Sequence, residues 1–456
     1  MTLAGESDTI VAVATADGRG GIGIVRLSGP AAFAIGETLA GRTLQPRNAH
    51  HCLIRDGSGE LLDDGIAIGF RGPRSFTGED VVELQGHGSP VGLQRILRAA
   101  LGLGARLARP GEFSERAFLN DRLDLAQAEA IADLIDAGTE AAARGALRSL
   151  QGDFSRRVHE LMEAVTALRI YVEAAMDFPD EDVDFLADGD VQCRLVGLGT
   201  MLDAIRAQAG QGVLLSAGIT LVLAGAPNAG KSSLMNTLAR RETAIVTAIP
   251  GTTRDILTER IDLDGLPVHL LDTAGLRSTT DPVEQEGVRR ARMEIERADC
   301  LLLLVDATEG ANLPKDRRDV TQLVGAGAPA KVILVRTKCD LLPADHVPSS
   351  PVELPVVATS VVTGEGLEAL KQCIRDQVGF SADPQTTFTA RARHLHAMDL
   401  AADGIKAALE TLVSSGAGDL VAEDLRVAHS HLGEIVGNMT PDELLGRIFS
   451  SFCIGK

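Results

Sequence analysis

The first 120 residues alternate short apolar runs with glycine-rich turns, which is typical of strands joined by tight connections. Strand-like segments span 8–14, 24–27, 65–70 and 80–84, and a helical pattern follows over 90–100. Residues 18–23 match G-x-G-x-x-G. The residues that follow alternate like a strand, whereas a dinucleotide-binding fingerprint opens a helix. The pattern therefore predicts a glycine-rich hairpin between two strands of an α/β or α+β unit.

The pattern becomes helical from about Asp121. Apolar residues recur at steps of three and four from Leu147 to Val172, and they predict one helix of about seven turns. An acidic break follows at 178–184, and a further helix is predicted over about 190–210. We interpret the arginines of the long helix as solvated side chains paired with local acids; they are Arg144, Arg148, Arg156 and Arg157.

An α/β segment interrupts the helical pattern. We interpret Gly212–Ala217 as its entry, the apolar run Ile219–Ala224 as its first strand, and the linker-like stretch Phe380–Gln385 as its end. Helical periodicity then resumes from Leu395 to Ile435. The two helical parts are expected to form one bundle, because the second part buries its apolar face better against the first than alone. The insert is expected to be able to move relative to that bundle.

The predicted fold class is therefore multidomain, α/β plus all-α. An N-terminal α+β domain spans 1–120, and the two parts of a split helical domain span 121–215 and 383–456. The inserted domain spans 216–382.

The insert opens with the spacing G-x-x-x-x-G-K-S over Gly225–Ser232, between a predicted strand and a predicted helix. Backbone N–H groups must close around phosphate oxygens in such a loop, so glycine is needed where side chains would obstruct them. The helix N-terminus adds its own N–H groups and the positive end of its dipole. Lys231 is expected to reach the β- and γ-phosphates, and the hydroxyl of Ser232 is expected to bind Mg²⁺.

Three later motifs point to GTP. The strand over 268–271 leads into Asp272–Gly275, whose acid can hold Mg²⁺ through water and whose glycine N–H can meet the γ-phosphate. A second strand leads into Thr337–Asp340, where the Asp340 carboxylate can accept from the guanine N1–H and N2–H₂ groups. Thr337 stands where GTPases usually have Asn. Ser360 fits the weaker element that backs the base, and the order of these motifs predicts a Ras-like P-loop GTPase domain.

The first mobile loop is predicted at Thr247–Asp255, and Thr253 is assigned to Mg²⁺ there. Leu276 follows the D-x-x-G motif, where many GTPases have a Gln that orients water. Asn228 is a candidate ligand for a monovalent cation. Glu284 is a candidate water-positioning acid, although its spacing alone favours a solvated residue at a helix start. The residues predicted to bind GTP or GDP are Asn228, Ala229, Gly230, Lys231, Ser232, Ser233, Thr247, Ala248, Ile249, Pro250, Gly251, Thr252, Thr253, Asp272, Thr273, Ala274, Gly275, Thr337, Lys338, Asp340 and Ser360.

The amino-acid composition restricts the possible functions and environments of the protein. The formal net charge of −19 argues against a generic nucleic-acid binder, although a local basic face or a partner protein could still hold nucleic acid. The six cysteines are scattered without a C-x-x-C pair, which fits a reducing, cytoplasmic environment. No secretion signal and no apolar run long enough for a membrane span are evident in the sequence.

The chain resembles the tRNA-modification GTPase family MnmE, also called TrmE. The GTPase motifs are shared with ribosome-assembly GTPases, so the segments outside that domain are more specific. The resemblance extends over the whole chain, and these segments are 18–29, 76–80, 83–88, 109–120, 171–175, 177–181 and 452–456.

The resemblance implies an N-terminal domain similar to folate-binding aminomethyltransferase domains, which forms the homodimer and holds a 5-formyltetrahydrofolate-type one-carbon donor. It also implies a flavin-dependent partner of the MnmG (GidA) type. Together the two proteins would install an aminomethyl or carboxymethylaminomethyl group on C5 of the wobble uridine, U34, of certain tRNAs. The partner could supply much of the positive surface that tRNA needs.

Site residues follow from the resemblance position by position. Folate contacts would be Arg26, Glu83, Arg122, where the family commonly has Lys, and the terminal Lys456. A pteridine needs a bidentate acid such as Glu83, and the glutamate tail of a folate favours Arg and Lys. Glu284 falls at the water-orienting position, and Cys453 is a candidate nucleophile of unassigned role. The K⁺ that drives dimerisation of the GTPase domains would be bound by Asn228, Thr247, Ile249 and Thr252.

A different class of function is consistent with the GTPase motifs. In this alternative, the chain is a GTP-dependent ribosome-assembly or regulatory switch, and its N-terminal part is a docking module. Binding of a folate by the N-terminal and helical parts, lost on changing Glu83, separates the two interpretations.

Overall fold

The computed structural model describes residues 8–177, 189–226, 228–241, 258–272, 298–309, 331–342, 354–381, 388–438, 442–452 and 455. The chain folds into two compact units. The first unit comprises Met1–Ala132, Leu150–Met201 and Ala397–Lys456, and the second comprises Asp133–Ser149 and Leu202–His396.

The first unit contains a six-stranded sheet with the strand order β3-β4-β5-β2-β1-β6. Its strands and helices are β1 Ile10–Val13, β2 Gly20–Ser28, α1 Ala32–Ala40, β3 Ala49–Arg55, β4 Leu61–Phe70, β5 Val81–Gly88, α2 Pro90–Gly102, β6 Arg106–Leu107 and α3 Glu112–Leu119. Strands β1 and β2 pair antiparallel, with Ile10 opposite Ser28. The glycine-rich hairpin predicted over residues 18–23 is confirmed, since β2 begins among those glycines.

The two faces of this sheet have different coverings because side chains alternate along each strand. One face carries Val25, Leu27 and Leu84, which pack with buried residues of α1 and α2 such as Phe33 and Ile96. The other face carries Arg26 and Glu83, which lie opposite each other in the β2–β5 register. On that face a smaller cluster joins Ile10, Ala12, Ala108 and Phe113, with Phe76 against it.

After the sheet, the described residues form the helices α4 Leu125–Asp136, α5 Glu140–Leu150, α6 Asp153–Asp177 and α7 Asp190–Ala217. The prediction of one continuous helix over 147–172 is wrong, because α5 ends at Leu150 and α6 begins at Asp153. Between them Gly152 has φ +87°, a left-handed conformation that ends a helix and that glycine adopts at little cost. The heptad-like pattern of apolar residues passes through this break unchanged, so the pattern alone could not reveal it.

Two of the arginines on these helices have the local acidic partners that the sequence predicts: Arg144 pairs with Glu140, and Arg156 pairs with Asp153. Helix α7 extends beyond the predicted 190–210 to Ala217. Gly212–Ala217, interpreted as an entry segment, is therefore the last part of a helix.

The second unit contains the other six-stranded sheet, with the order β12-β11-β10-β7-β9-β8. Its elements are β7 Ile219–Gly225, α8 Lys231–Arg241, β8 Thr258–Leu263, β9 Leu266–Asp272, β10 Cys300–Asp306, β11 Val332–Thr337, β12 Val356–Ala358 and α9 Leu367–Val378. All pairs are parallel except β8–β9. Parallel strands buried on both faces read as continuous apolar runs, which explains the sequence of β7, β10 and β11.

In the described part of the chain after residue 388, the helices are α10 Ala392–Ser415, α11 Gly418–Val436 and α12 Asp442–Ser450. The helical periodicity predicted from Leu395 to Ile435 is confirmed by α10 and α11. Within the first unit, α11 packs on α6, where Gly433 lies beside the methyl group of Met162. No helix in the described part of the chain is both long and apolar enough to cross a membrane.

Candidate functional site

The glycine loop between β7 and α8 has the backbone of a phosphate cradle. Gly225 has φ +151° and Gly230 has φ +91°. A Cβ at Gly225 would collide with the carbonyl oxygen of Leu304, its neighbour across the β7–β10 pair. Lys231 Nζ donates to the carbonyl oxygens of Gly225 and Ala226 at 2.9 and 3.0 Å. The ammonium group therefore lies inside the loop, held by two neutral acceptors that an anion could replace.

The remaining predicted residues of this loop lie at the start of α8. Ser232 and Ser233 are exposed in its first turn, and Leu234 N donates to the carbonyl oxygen of Gly230 at 2.8 Å. Asn228 is exposed and left-handed, with φ +64°. N–H groups at a helix start and exposed hydroxyls are groups that bind phosphate and Mg²⁺.

A second loop, after β11, meets the glycine loop at the same edge of the sheet. Thr337 Oγ1 donates to the carbonyl oxygen of Ala229 at 2.8 Å, and the carbonyl oxygen of Val305 lies 3.3 Å away. Thr337 is 4% exposed. Asp340, the predicted base-selecting acid, is exposed. The carboxyl ends of parallel strands form the usual ligand edge of an open α/β sheet, and this hydrogen bond fixes the two loops to each other.

Ser360 builds a third loop beside the second. Its side chain is fully buried, and its Oγ accepts from the N–H groups of Val362 and Thr363, each at 3.2 Å. Cys339 N donates to the carbonyl oxygen of Thr359 at 3.3 Å, which connects the two loops. Ser360 therefore shapes the wall beside Asp340, consistent with the predicted support of the base.

Sequence reasoning missed one acid at this edge. Asp306, the last residue of β10, accepts from Lys338 Nζ at 2.6 Å, and its second oxygen accepts from Thr308 N and Thr308 Oγ1 at 2.9 and 2.7 Å. The hydrogen bonds from Lys338 and Thr308 lower the pKa of Asp306 to about 2. The available signal was its position at the end of an apolar strand, the same position that identified Asp272.

Several predicted residues lie outside the described part of the chain. Asp272 ends β9 beside Leu223 of β7, as predicted, but only its backbone is described. The positions on which the structure says nothing are Thr247, Ala248, Ile249, Pro250, Gly251, Thr252, Thr253, Thr273, Ala274, Gly275, Glu284, Cys453 and Lys456.

In the first unit, two of the predicted folate residues form one ion pair. Arg26 donates from Nε and Nη2 to the same Glu83 oxygen, at 2.9 and 2.8 Å. The Arg26 guanidinium lies 5.3 Å from the ring centre of Phe76 and 5.7 Å from that of Phe113. From the residues that the structure describes, the second Glu83 oxygen has one long contact, 3.4 Å, with Gln85 Nε2. One carboxylate oxygen thus keeps most of its accepting capacity in an aromatic setting.

Arg122 lies near the loop that carries Phe76. Its Cγ lies beside Gly78, and Asn120 Nδ2 donates to the carbonyl oxygen of Thr77 at 2.7 Å. Arg122 is exposed and forms no ion pair with any residue that the structure describes. Its guanidinium is therefore available to an anionic group.

The chain end returns to this domain within the first unit. Phe449 and Phe452 pack with Leu125 and Ala128, and Gly111 lies against the backbone of Phe449. Gly455 has φ +97°, and a Cβ there would collide with the carbonyl oxygen of Val13 at the end of β1. The residues on both sides of positions 453–454 are therefore anchored to the N-terminal domain.

Two family models match the chain: "GTP-binding protein TrmE N-terminus" over residues 9–122 and "MnmE helical domain" over residues 125–453. The "tRNA modification GTPase MnmE" of Pseudomonas paraeruginosa is 55% identical over 451 residues, which is 99% of each chain. The protein of the same name from Stutzerimonas stutzeri is 54% identical over 98% of this chain and 99% of its own.

Among solved structures, the G domain of the T. maritima FeoB iron transporter matches with 28% identity and a TM-score of 0.26, over 35% of this chain and 98% of its own. The family assignment depends on the relatives that match from end to end, because those matches cover the GTPase segment and the segments on both sides of it. On those matches, the chain belongs to the MnmE family of tRNA modification GTPases.

Proposed function

We propose that this protein binds and hydrolyses GTP at the glycine loop and that hydrolysis serves the modification of tRNA. The observation that carries the nucleotide proposal is the hydrogen bond between Thr337 and Ala229, at 2.8 Å, which joins a phosphate-type loop to a base-type loop. Lys231 would exchange its two carbonyl acceptors for phosphate oxygens. Asp340 would accept from guanine N1–H and N2–H₂, a donor pair that adenine lacks, so GTP is preferred to ATP.

Two metal ions complete this proposal. Ser232 and Thr253 would hold Mg²⁺, with Asp272 acting through water, and the described Ser232 is suitably exposed. Asn228, Thr247, Ile249 and Thr252 would hold K⁺; of these the structure describes only Asn228, which is exposed. The positive charge that a cation supplies beside the phosphates has the role that an arginine finger has in other GTPases. Leu276 cannot orient water, so Glu284 is assigned that task.

Turnover in two salts tests this account. GTP hydrolysis should be markedly faster in KCl than in NaCl at equal ionic strength. Glu284→Ala should slow hydrolysis while leaving nucleotide affinity intact. Equal rates in the two salts would contradict the K⁺ account, and an unchanged rate in Glu284→Ala would mean that another group positions the water.

We also propose that the sheet face around Arg26 and Glu83 binds a 5-formyltetrahydrofolate-type one-carbon donor. A planar pteridine suits the partly exposed ring of Phe76 and the carboxylate of Glu83. Arg122 and Lys456 would attract the glutamate tail. Glu83→Ala should abolish folate binding measured by calorimetry, whereas Glu60→Ala, on an exposed β3–β4 turn, should not. Failure of the unchanged protein to bind would remove the one-carbon interpretation.

In the complete reaction, a homodimer formed through the N-terminal domains would act with a flavin-dependent MnmG-type partner in the cytoplasm. The product would be an aminomethyl or carboxymethylaminomethyl group at C5 of U34, and Cys453 would act near the donor. Mass spectrometry of wobble nucleosides in tRNA from cells lacking this gene tests the proposal. The modified uridine should be lost and should return with the intact gene. Unchanged tRNA nucleosides would favour a switch GTPase without one-carbon chemistry.

A further inference from the structure

The hydroxyl of Thr337 has a single proton, and the geometry shows where that proton goes. Among the residues that the structure describes, the polar neighbours of Oγ1 are the carbonyl oxygens of Ala229 and Val305, at 2.8 and 3.3 Å. Carbonyl oxygens only accept hydrogen bonds, so the hydroxyl must donate to one of them. The shorter distance identifies Ala229, and Val305 is at most a minor, shared acceptor.

Burial keeps this arrangement in place. Thr337 is 4% exposed, and its backbone pairs with Asp306 in the β10–β11 register. Turning the hydroxyl away would leave the Ala229 carbonyl oxygen without its partner at the loop junction, which is unfavourable for a buried acceptor. Gly230 also lies close, since a Cβ there would be 3.6 Å from Thr337 Cβ. The side chain therefore has no donor left for a bound base.

An asparagine at this position would differ in one respect. Its amide carries two N–H protons, so it could serve the loop carbonyl with one and a second acceptor with the other. Guanine presents two acceptors on its major-groove edge, N7 and O6. A threonine whose only proton is committed to Ala229 cannot donate to either atom.

We propose that this protein recognises guanine without a side-chain hydrogen bond to N7, because Thr337 holds the base loop to the phosphate loop instead. Selectivity for guanine over adenine then depends on the N1–H and N2–H₂ donors, from which the Asp340 carboxylate accepts. Thr337 is a positioning residue, and a guanine nucleotide lacking N7 should bind as well as GDP. The inference rests on the proposed GTP site and specifies which atoms of the base that site reads.

Two neighbouring side chains in the described part of the chain already have partners of their own. The Lys338 ammonium lies 2.6 Å from Asp306, and Lys338 has a left-handed backbone with φ +59°. The Ser360 side chain is fully buried and accepts from two backbone N–H groups of its own loop. Replacing N7 by a C–H group leaves the N1–H and N2–H₂ donors intact, so it probes this one atom without disturbing the contact to Asp340.

The experiment is competition of GDP and 7-deaza-GDP against a fluorescent GDP on the full-length protein in KCl and MgCl₂. The unchanged protein should bind the two within about twofold of each other. Thr337→Asn should prefer GDP by about fivefold, the effect of one added hydrogen bond. Thr337→Val should bind both more weakly with their ratio still near one, because it loses the loop junction alone. Thr200→Asn, an exposed threonine on α7, is the matched control and should not change the ratio.

Each outcome of this experiment either supports or contradicts the proposal. A preference of more than about twofold for GDP in the unchanged protein would overturn the proposal. So would a Thr337→Asn protein that binds GDP but does not distinguish the two ligands. If Thr337→Asn fails to fold, the ratio for the unchanged protein still decides. Absence of any guanine-nucleotide binding would instead refute the proposed GTP site, so the two failures are distinguishable.

Discussion

Asp306 and Lys338 form an ion pair that fixes one side of the base loop. The pair has good geometry at 2.6 Å, although the Lys338 side chain is 37% exposed and solvent screening weakens the attraction. The Asp306 pKa of about 2 means that the folded state favours the ionised carboxylate. The stabilisation is therefore present at neutral pH and is lost only as the pH falls towards 2.

We expect Asp306→Asn to weaken GDP binding by about fivefold, or roughly 1 kcal/mol, because the lysine beside Asp340 loses its charged partner. The effect should be the same between pH 5 and 8, where the carboxylate of the unchanged protein stays ionised. Asp376→Asn, on the exposed side of α9, is the control. Equal affinities of the two variants, measured by fluorescent nucleotide titration, would show that Lys338 does not need this partner.

Residue identity and spacing were enough to predict the loops at this edge but not all their contacts. Lys231, Thr337 and Asp340 follow apolar strands in the expected order, and the structure brings those loops together. Asp306 was not predicted, because it lies at the candidate nucleotide site only if β10 is placed between β7 and β11 in the sheet. That neighbourhood is a property of strand order, which the sequence does not state. The hydrogen bond from Thr337 to Ala229 could not be predicted either, since a motif gives residue types and not the direction in which a hydroxyl donates.

The turn between β8 and β9 connects the six-stranded sheet of the second unit, called the nucleotide sheet below, to α5 within the same unit. Thr139 Oγ1 donates to the carbonyl oxygen of Gly265 at 3.0 Å and accepts from Ala142 N at 3.0 Å, so it also caps the start of α5. On the other side of the turn, Asp264 pairs with Arg375 of α9. Thr139 is 5% exposed, so both of its hydrogen bonds are shielded from water.

We expect Thr139→Val to destabilise this unit by about 1–3 kcal/mol, because it removes a helix cap and leaves the Gly265 oxygen unpaired. The measurement is the midpoint of the thermal transition that GDP raises, since ligand linkage identifies the unit that binds the nucleotide. Thr200→Val, whose exposed hydroxyl donates to the carbonyl oxygen of Val196, should change that midpoint little. Similar shifts for both variants would argue against the anchor.

At the scale of elements, seven of the twelve described strands were predicted, and the strands that were missed are β3, β6, β8, β10 and β12. Helix ends were predicted less well. The strands of both sheets have strong apolar or alternating patterns, whereas the break at Gly152 lies inside an uninterrupted apolar stripe. One left-handed glycine ends α5, and nothing in the periodicity of the flanking residues changes there. The opposite error occurred at Gly212–Ala217. The sequence was interpreted there as the entry to the insert, but these residues are the C-terminal part of α7.

At the scale of the whole molecule the chain forms two compact units, and the domain boundaries expected at residues 215 and 383 stay a prediction. The second unit includes helical residues 133–149 and 202–217 together with the nucleotide sheet. The chain returning from that sheet is held there: Ser216 Oγ donates to the carbonyl oxygen of Ala390 at 2.9 Å, and Ser149 Oγ donates to that of Thr389 at 2.8 Å. The start and the end of the insert are thus fixed to the same helices.

Two glycines on α7 provide a matched test of the contact between α7 and the returning segment 388–390. A Cβ at Gly212 would collide with the backbone of Phe388 and lie 2.8 Å from Ala390 N, whereas a Cβ at Gly210 would meet nothing within 4 Å. Gly212→Ala should therefore destabilise the GDP-linked transition by about 1–3 kcal/mol, since backbone cannot move aside as a flexible side chain can. Gly210→Ala should stabilise it by about 0.5–1 kcal/mol, because alanine has the higher helix propensity. Opposite signs for the same chemical change, two residues apart on one helix, cannot arise from helix propensity. Changes of equal sign and size would mean that the return segment 388–390 is not held against α7.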